Sequence, residues 1–559
     1  MGWKSRGFTT ARSRQTGIPR YGTQPIWMRR WVIGSTLLSG LFALLWLVLR
    51  SGTKPSRLAY PCQQAAFATA AASFGVPLVA GLLALRTRLI GGLATTRGKV
   101  ATGSCLALAF VVLAFATSQP GRLTDPLAPP ADYHPDVFVV NNARGIEPGR
   151  YAGVDDLTTL MGVSGFKWYA SADTTVTSGP DGMIDAGDVV LIKVNAQWAE
   201  RGGTNTDVIR GIIRRVVEHP DGFVGEVVVA DNGQNSGNLN RIESNAEEHT
   251  QSVQDVVNDF ADEGWTVSTF LWDTIRTLGV DEYADADMSS GYVVSADYDP
   301  ETDVKISYPK FQTAPGTLIS YKYGVWSPAS QTYDPDRLVV INVPVLKTHS
   351  IYGITAAVKN HMGLITTAMS TDCHHGVARG GLGSVLAEVR LPDLTILDAI
   401  YVLARPGYGP AAYYEHVNRR DQLLASTDPI ALDMWAVKNV IIPQIIDNGY
   451  DYASYHNTQD PDNLDSTFRL YLDRSMNELL LAGIDTTNDL DAINLHAWYG
   501  DVDRDGDVDT LDYADLAWCL TGPDDLTDPT CTASDHQQDN HVDLADAAAF
   551  QQMFTGSFD

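Results

Sequence analysis

Lysine and histidine side chains concentrate in the segment from residue 343 to residue 375. Lys347 and His349 stand two residues apart, and Lys359 and His361 repeat that spacing twelve residues later. A lysine can hold a phosphate or carboxylate group, or act as a base when burial lowers the pKa of its amine. A histidine can bind a metal ion or transfer a proton near neutral pH. We therefore predict that these four residues form the catalytic part of a site.

Four further polar residues could complete that site. Asn195, Asp231 and Asp398 each follow an apolar run that is typical of a buried strand, and Asn360 lies within the Lys/His segment. Because ligands of open parallel sheets bind outside the carboxyl ends of the strands, we expect these residues to face one crevice. With Asp231 or Asp398 the histidines would suit zinc, manganese or iron, whereas the lysines suit an anion. The sequence leaves both ligand classes open.

Short β-branched runs alternate with stretches of helical periodicity from Asp136 onward. The run Glu226–Ala230 follows a helix capped near Thr206, which itself follows the run Val189–Val194. A strand, a helix and a strand within about forty residues predict a βαβ unit with a right-handed crossover. Further strands are expected at 137–140, 266–270, 338–341, 394–397 and 423–425, and further helices at 245–262, 384–389 and 429–440. We predict an α/β domain with a mainly parallel sheet over residues 136–495.

Acidic side chains recur near the C-terminal end with the spacing of calcium ligands. Two segments fill positions 1, 3, 5, 7, 9 and 12 of an EF-hand-type loop: Asp501, Asp503, Asp505, Asp507, Asp509 and Asp512 in the first, and Asp535, Gln537, Asp539, His541, Asp543 and Asp546 in the second. Calcium prefers several oxygen ligands, and clustered carboxylates would repel one another without a cation. We therefore predict two calcium sites, to which position 7 of each loop contributes its backbone carbonyl group.

Each acidic segment precedes apolar residues at helical spacing, which are Tyr513, Leu516 and Leu520 in the first repeat and Ala547, Phe550 and Phe554 in the second. One helix per loop cannot bury its apolar face alone, so the two repeats should pack together as a small all-α domain of residues 496–559. Folding of this pair should then depend on calcium. Cys519 and Cys531 flank the connection between the repeats, and the sequence leaves open whether a disulfide joins them.

Three uncharged apolar stretches occupy the N-terminal region, at residues 31–49, 60–85 and 100–117. About 20 apolar residues cross a bilayer, so residues 1–117 are predicted to anchor the chain through three transmembrane helices. Lys and Arg are most frequent before the first stretch and between the second and third, which places the N-terminus in the cytoplasm. The alternative is a twin-arginine export signal at Arg29-Arg30. A proline-rich linker at 118–135 follows, and both interpretations place the large C-terminal part beyond it outside the cytoplasm. In the interpretation with three transmembrane helices, the chain is anchored in the cytoplasmic membrane.

The formal net charge of −27 is unevenly distributed along the chain. No acidic residue precedes Asp125, whereas the first 124 residues carry 15 Lys or Arg; the remainder holds 25 basic against 67 acidic residues. Such a field disfavours binding to nucleic acid. The five cysteines include no C-x-x-C pair, which argues against an iron–sulfur cluster or a zinc site built from cysteines alone.

Several ordered motifs resemble the domain-of-unknown-function 362 family over residues 136–450. They are V-V-L-I-K-V-N at Val189–Asn195, V-P-V-L-K-T-H at Val343–His349, K-N-x-x-G from Lys359 and A-S-x-D-P-x-A-x-D from Ala425. The family implies no settled reaction. Many of its relatives carry a ferredoxin-like cysteine segment, which this sequence lacks, so the resemblance does not extend to electron transfer.

The two calcium loops, each followed by one helix, resemble a type I dockerin over residues 500–556. That resemblance implies calcium binding and docking to a cohesin-like protein partner. Gln537 and Asn540 depart from the loop pattern, so weaker calcium binding is expected in the second repeat.

These observations support functions from different classes. In one, the α/β domain is an enzyme that binds an anionic or metal-associated ligand, and the lysines and histidines carry its chemistry. In another, the chain is a non-catalytic assembly module or scaffold of a cohesin–dockerin-type complex. A role in polysaccharide degradation is a third alternative, suggested by the proteins in which dockerins occur. No pair of glycosidase carboxylates can be selected among 67 acidic residues.

Overall fold

The computed structural model describes residues 127–497, except 142, 144–145, 148 and 371–372, together with residues 510–520, 522, 531, 534 and 541–553. The three predicted membrane spans lie outside the described residues. The predicted calcium-loop positions from Asp501 to Asp509 and from Asp535 to Asp539 lie outside them as well, as does Phe554.

Ten strands form the main sheet and are numbered in chain order: β1 (Asp136–Val140), β2 (Val189–Lys193), β3 (Glu226–Asp231), β4 (Val267–Leu271), β5 (Leu338–Asn342), β6 (Val345–His349), β7 (Gly353–Thr355), β8 (Leu394–Leu403), β9 (Asn418–Ser426) and β10 (Asn494–Ala497). Most of these strands are runs of Val, Ile and Leu, which favour extended backbone and are buried here on both faces. Each of the seven strands expected from the sequence lies within this sheet, with its bounds shifted by a few residues.

The centre of the sheet is parallel. Five strands lie side by side in the order β8-β5-β2-β3-β4, all parallel to one another. On the far side of β8, the strand β9 runs antiparallel and connects it to β1 and β10, while β6 pairs with β8 and β7. The expected α/β architecture with a mainly parallel sheet is confirmed.

The connections place a topological switch point between β2 and β5. From β2 the chain proceeds outward through β3 to β4, and it then returns to the opposite side of β2 to form β5. Helices that follow β2 and β5 therefore leave the sheet in different directions. In sheets of this kind the carboxyl ends of the two strands border a crevice, which is the usual ligand site.

Helices cover both faces of the sheet. The α-helices described within residues 127–497 are Ala152–Val163, Thr206–Val217, Val253–Asp262, Cys373–Val377, Gly381–Glu388, Pro429–Ala436, Ile442–Asp447, Tyr452–Tyr455 and Thr467–Leu481. Alternate residues of one strand enter separate hydrophobic cores, so Leu338 and Val340 pack with the helix Thr467–Leu481, and Val339 and Ile341 with Thr206–Val217. The domain therefore has three layers, with the sheet in the middle.

Several helix boundaries differ from the sequence-based expectation; the helix expected at 384–389, for example, spans Gly381–Glu388. The helix expected at 245–262 begins at Val253, because Ser252 and Asp255 form a reciprocal capping box that fixes the first turn there. The helix expected to be capped by Thr206 is capped instead by Asn205, whose side chain accepts a hydrogen bond from the backbone N–H of Asp207.

A long apolar helical segment spans Pro429–Asp447. Asp428 caps its first turn, and a π-helical turn at Val437–Ile441 lies within it. Among the described residues it is the one helix with the length and hydropathy of a membrane span, and 72% of it is buried inside the domain. Its apolar residues belong to the hydrophobic core that also includes β5.

The region between β4 and β5 forms a second sheet, for which the sequence analysis predicted no strands. Its five antiparallel strands are Gly291–Val294, Ser307–Gln312, Leu318–Ser320, Gly324–Ser327 and Thr332–Asp334. Aliphatic runs are short here, and the buried Lys310 interrupts the apolar pattern. Its ammonium group donates hydrogen bonds to the backbone carbonyl groups of Asp281 and Asp287.

The C-terminal segment contains the helices Thr510–Cys519 and Leu544–Met553, which follow the two acidic segments. They share a small core with a disulfide bond between Cys519 and Cys531, which settles the pairing that the sequence left open. The other buried members of that core are Leu516, Val542 and Phe550.

Candidate functional site

A polar cavity of about 70 Å³ lies at the switch point. We call it the switch-point cavity. Five of the eight residues predicted for the central site line it: Asn195, Asp231, His349, Lys359 and Asn360. They come from the ends of β2, β3 and β6 and from the 3₁₀ helix Lys359–Gly363. The parallel strands therefore bring together residues that are up to 165 positions apart in the sequence.

A buried ion pair forms one wall of the cavity. Lys193 and Asp231 end the adjacent strands β2 and β3, and the Lys193 Nζ lies 2.9 Å from the Asp231 Oδ1. Burial lowers the pKa of Lys193 and raises that of Asp231, while each partner opposes the shift of the other. Lys193 also donates to the backbone carbonyl of Asn360 at 2.6 Å, and the Asp231 Oδ2 accepts from the N–H of Ala196 at 2.8 Å. These bonds offset the desolvation of both charges.

Gly363 allows the loop after β7 to close over this ion pair. The backbone N–H of Asn232 donates to the Gly363 carbonyl at 3.0 Å, which holds the loop against the end of β3. A Cβ atom at position 363 would lie 2.3 Å from the Asp231 Oδ1 and 2.6 Å from the Lys193 Nζ. The close approach therefore requires glycine at this position.

The same loop carries Lys359 and Asn360 into the cavity. Lys359 is buried to 6% exposure, and its Nζ lies 5.2 Å from the centroid of the Tyr352 ring. Asn360 donates through its Nδ2 to the Oδ1 of Asn342, the last residue of β5, at 2.8 Å. The Lys359 ammonium group is thus held by a loop that is itself bonded to the ends of β2, β3 and β5.

The two histidines of the cavity wall are neutral. The Nδ1 of His349 accepts hydrogen bonds from the N–H groups of Ile351 and Tyr352, so its Nε2 carries the proton. Burial, and then the charges of Lys359 and Lys347, lower its pKa to about 3. Burial and Lys359 also lower the pKa of His374. Neither ring adds charge to the cavity at neutral pH.

Three of the predicted residues do not line the cavity. Lys347 is fully buried and donates to the Gly202 carbonyl at 2.5 Å, and burial followed by Lys359 lowers its pKa to about 7. His361 points away, with its Nδ1 3.1 Å from the Ala357 carbonyl. Asp398 accepts bonds from the N–H groups of Asn205 and Ile400 and from the Nδ2 of Asn245, so its carboxylate fastens loops beside the site.

The transition-metal interpretation finds no ligand set within the part of the chain that the structure describes. No group of three or more His, Cys, Asp or Glu side chains lies there in a metal-binding arrangement. The Asp231 carboxylate already contacts Lys193 and the backbone N–H of Ala196. The Asp398 carboxylate accepts from the backbone N–H groups of Asn205 and Ile400. His361 lies outside the cavity.

Sequence reasoning missed several residues of the cavity wall. Lys193 is the most consequential, and a charged side chain within the apolar run V-V-L-I-K was a usable signal for it. Trp198, Asn232 and Gln234 lie in loops after β2 and β3, where no periodicity distinguishes them. Asn232 is positioned from the second sheet, because its Nδ2 donates to the hydroxyl group of Tyr292 at 2.5 Å.

The chain is similar to known proteins over part of its length. The family model "Domain of unknown function (DUF362)" matches residues 328–438, a range that includes β5 to β8 and the Lys359–Gly363 loop. The "Thylakoid-associated protein" of Synechocystis sp. is 31% identical over 140 residues, which cover 22% of this chain. The chain spans 42% of the length of that relative. No solved structure matches significantly.

Proposed function

We propose that the switch-point cavity binds the anionic group of a small molecule. The observation that carries the proposal is the set of ionisable side chains that line the cavity: two lysines, Lys193 and Lys359, one carboxylate, Asp231, and histidines that are neutral. Two lysines against one carboxylate among the lining residues favour an anion. A cavity of about 70 Å³ holds several water molecules, and a carboxylate or phosphate group is of that size.

The neutral donors define how such an anion would be held. His349 presents its Nε2–H, Asn195 and Gln197 present side-chain amides, and Lys359 supplies the charge. Hydrogen bonds between charged partners are stronger than neutral ones, so Lys359 should contribute most of the affinity. If the domain is an enzyme, Lys359 stabilises negative charge on the substrate and the His349 Nε2–H donates to it.

Titration of the whole protein with inorganic phosphate and, separately, with acetate tests this proposal. We expect calorimetric binding of at least one probe, weakened about tenfold or more in Lys359→Met because a charge-assisted bond is lost. Lys438→Met removes an exposed lysine that pairs with Asp462 and serves as the matched control. Binding of neither probe, or equal binding by Lys359→Met, would reject the proposal. The preferred probe distinguishes a phosphorylated from a carboxylated ligand.

We further propose that residues 1–117 anchor the protein in the cytoplasmic membrane, with the α/β domain on the extracytoplasmic side. Three uncharged stretches and their flanking Lys and Arg support this topology. The name of the Synechocystis relative also refers to a membrane system, the thylakoid. Protease added to intact spheroplasts should digest the α/β domain. Protection of that domain until the membrane is disrupted would reverse the assigned orientation.

We propose that the C-terminal segment binds calcium and docks to a cohesin-like protein. This role in assembly is the alternative to a purely enzymatic role. Asp512 and Asp546 occupy position 12 of the two acidic segments, and both are fully buried beside the shared core. The two segments carry carboxylates at the spacing of calcium ligands, and clustered carboxylates would repel one another without a cation. Chelation should therefore loosen the helix pair, as measured by circular dichroism and proteolysis of the whole protein. Unchanged protease resistance without calcium would oppose this assignment.

A further inference from the structure

A second cavity, of about 320 Å³, lies at the end of β8 and is distinct from the switch-point cavity. We call it the Arg405 cavity. The wall is polar and comes from the loop after β8, the start of β9 and the chain after the helix Ile442–Asp447. Its lining residues are Arg405, Glu415, His416, Asn418, Asn448 and Tyr450, together with Val417.

Hydrogen bonds hold this wall in place before any ligand arrives. The Arg405 Nε donates to the Tyr450 hydroxyl group at 3.3 Å. Asn418 and Asn448 exchange hydrogen bonds through their amides, at 3.0 and 2.9 Å, and Asn448 also donates to the Ala404 carbonyl at 3.0 Å. Hydrogen bonds therefore hold the planar amide and guanidinium groups of the wall in position.

Two exposed tyrosines flank the Arg405 cavity. Tyr408 is 51% exposed and Tyr413 is 49% exposed. The Arg405 guanidinium carbon lies 4.6 Å from the centroid of the Tyr408 ring. The His416 ring lies 5.6 Å from the Tyr413 ring and 6.4 Å from the Tyr408 ring. Both tyrosine rings thus adjoin residues of the cavity wall while remaining open to solvent.

We infer that the Arg405 cavity binds an uncharged oligosaccharide. The lining holds one arginine and one glutamate, Arg405 and Glu415, so its formal charges cancel and the wall does not select an ion. Pairs of hydroxyl groups on a sugar can exchange hydrogen bonds with planar amide and guanidinium groups. The apolar C–H face of a sugar ring can pack on the electron-rich face of an exposed tyrosine. A shallow polar cavity flanked by two such rings matches that combination.

Ligand-observed saturation-transfer NMR on the whole protein tests the inference. The protein is kept in lauryldimethylamine oxide, a detergent without a sugar headgroup. The probes are the β-1,4-linked hexasaccharides of glucose, xylose, mannose and N-acetylglucosamine. We expect saturation of sugar ring protons for at least one probe, with affinity reduced about three- to tenfold by Tyr408→Ala or Tyr413→Ala.

Matched variants decide the outcome. Tyr298→Ala removes a tyrosine of similar exposure, 46%, outside the cavity and should bind as the wild type does. Tyr408→Phe keeps the ring face and should retain most of the affinity. Binding of none of the four hexasaccharides, or undiminished binding by a Tyr408→Ala/Tyr413→Ala double variant, would overturn the inference. Phosphate or acetate titration of the same double variant should match the wild type, so this test is independent of the switch-point cavity.

Discussion

The ammonium group of Lys193 and the carboxylate of Asp231 lie 2.9 Å apart at the ends of two neighbouring parallel strands, with both side chains buried. This pair connects β2 to β3 at their carboxyl ends and, through the Asn360 carbonyl, to the loop that carries Lys359. Because the pair balances its own charge, it provides a fixed wall, and Lys359 is the second lysine that lines the cavity.

Lys193→Met should lower the free energy of unfolding by about 3–5 kcal/mol, since it leaves the Asp231 carboxylate buried without its partner. The double variant Lys193→Met/Asp231→Asn should cost less than the sum of the single variants, because no uncompensated charge remains. Urea unfolding followed by tryptophan fluorescence measures both. Lys438→Met breaks a surface pair with Asp462 and should cost at most about 1 kcal/mol. Additive effects of the two buried substitutions would contradict the coupling.

Gly363→Ala should displace the Lys359–Gly363 loop, because its Cβ would lie 2.3 Å from the Asp231 Oδ1. We expect a loss of stability of about 1–3 kcal/mol and a larger loss of affinity for the anionic probe than stability alone explains. Gly187→Ala is the matched control, since the nearest atom to its added Cβ is 3.9 Å away. Tight probe binding by Gly363→Ala would show that the loop does not shape the cavity.

Much of the fold could be predicted from the sequence because the central strands are apolar runs bounded by polar residues. Parallel strands buried on both faces leave such runs, and the loops at their carboxyl ends identify the edge where ligands bind. The second sheet could not be predicted in this way. Its strand Ser307–Gln312 includes Pro309 and Lys310, so apolar periodicity fails, and the buried lysine is satisfied only by backbone carbonyls from elsewhere in the chain.

Proximity to strand ends predicted which residues lie near the site. It did not predict which way each side chain points. Lys347 and His349 lie two residues apart on β6, yet Lys347 is bonded to Gly202 and only His349 lines the cavity. Asp398 follows an apolar run as Asp231 does, but three donors occupy its carboxylate. Such differences depend on tertiary hydrogen bonds, which local spacing does not encode.

The buried His361 should make the stability of the protein depend on pH. Burial, and then the charge of Lys193, lowers the pKa of His361 to about 3, from 6.5 in the unfolded chain. The unfolded chain therefore binds more protons between these values, and stability falls as the pH falls below 6.5. Between pH 6.5 and pH 5 this one residue should account for about 2 kcal/mol.

His361→Phe tests that assignment, because phenylalanine keeps the ring and cannot be protonated. The variant loses the hydrogen bond to the Ala357 carbonyl, which still accepts from the Nδ2 of Asn342. The stability deficit of His361→Phe relative to the wild type should shrink by about 2 kcal/mol between pH 6.5 and pH 5 in urea unfolding. The exposed His375, changed in the same way, is the control. A stability deficit that does not change with pH would show that His361 has the same pKa in the folded and unfolded states.

The Cys519–Cys531 disulfide should govern local opening of the C-terminal helix pair. The bridge joins residues 12 positions apart and lies in the core that contains Leu516 and Phe550. Closing a loop of this length stabilises the folded form by about 3 kcal/mol in the chain-entropy view, so Cys519→Ala/Cys531→Ala should raise cleavage by a nonspecific protease about 100-fold. The measurement is the rate of cleavage between positions 519 and 531 at fixed calcium concentration, and Cys373→Ala serves as the control. A rate within a few-fold of the wild type would mean that the apolar core alone holds the two helices together.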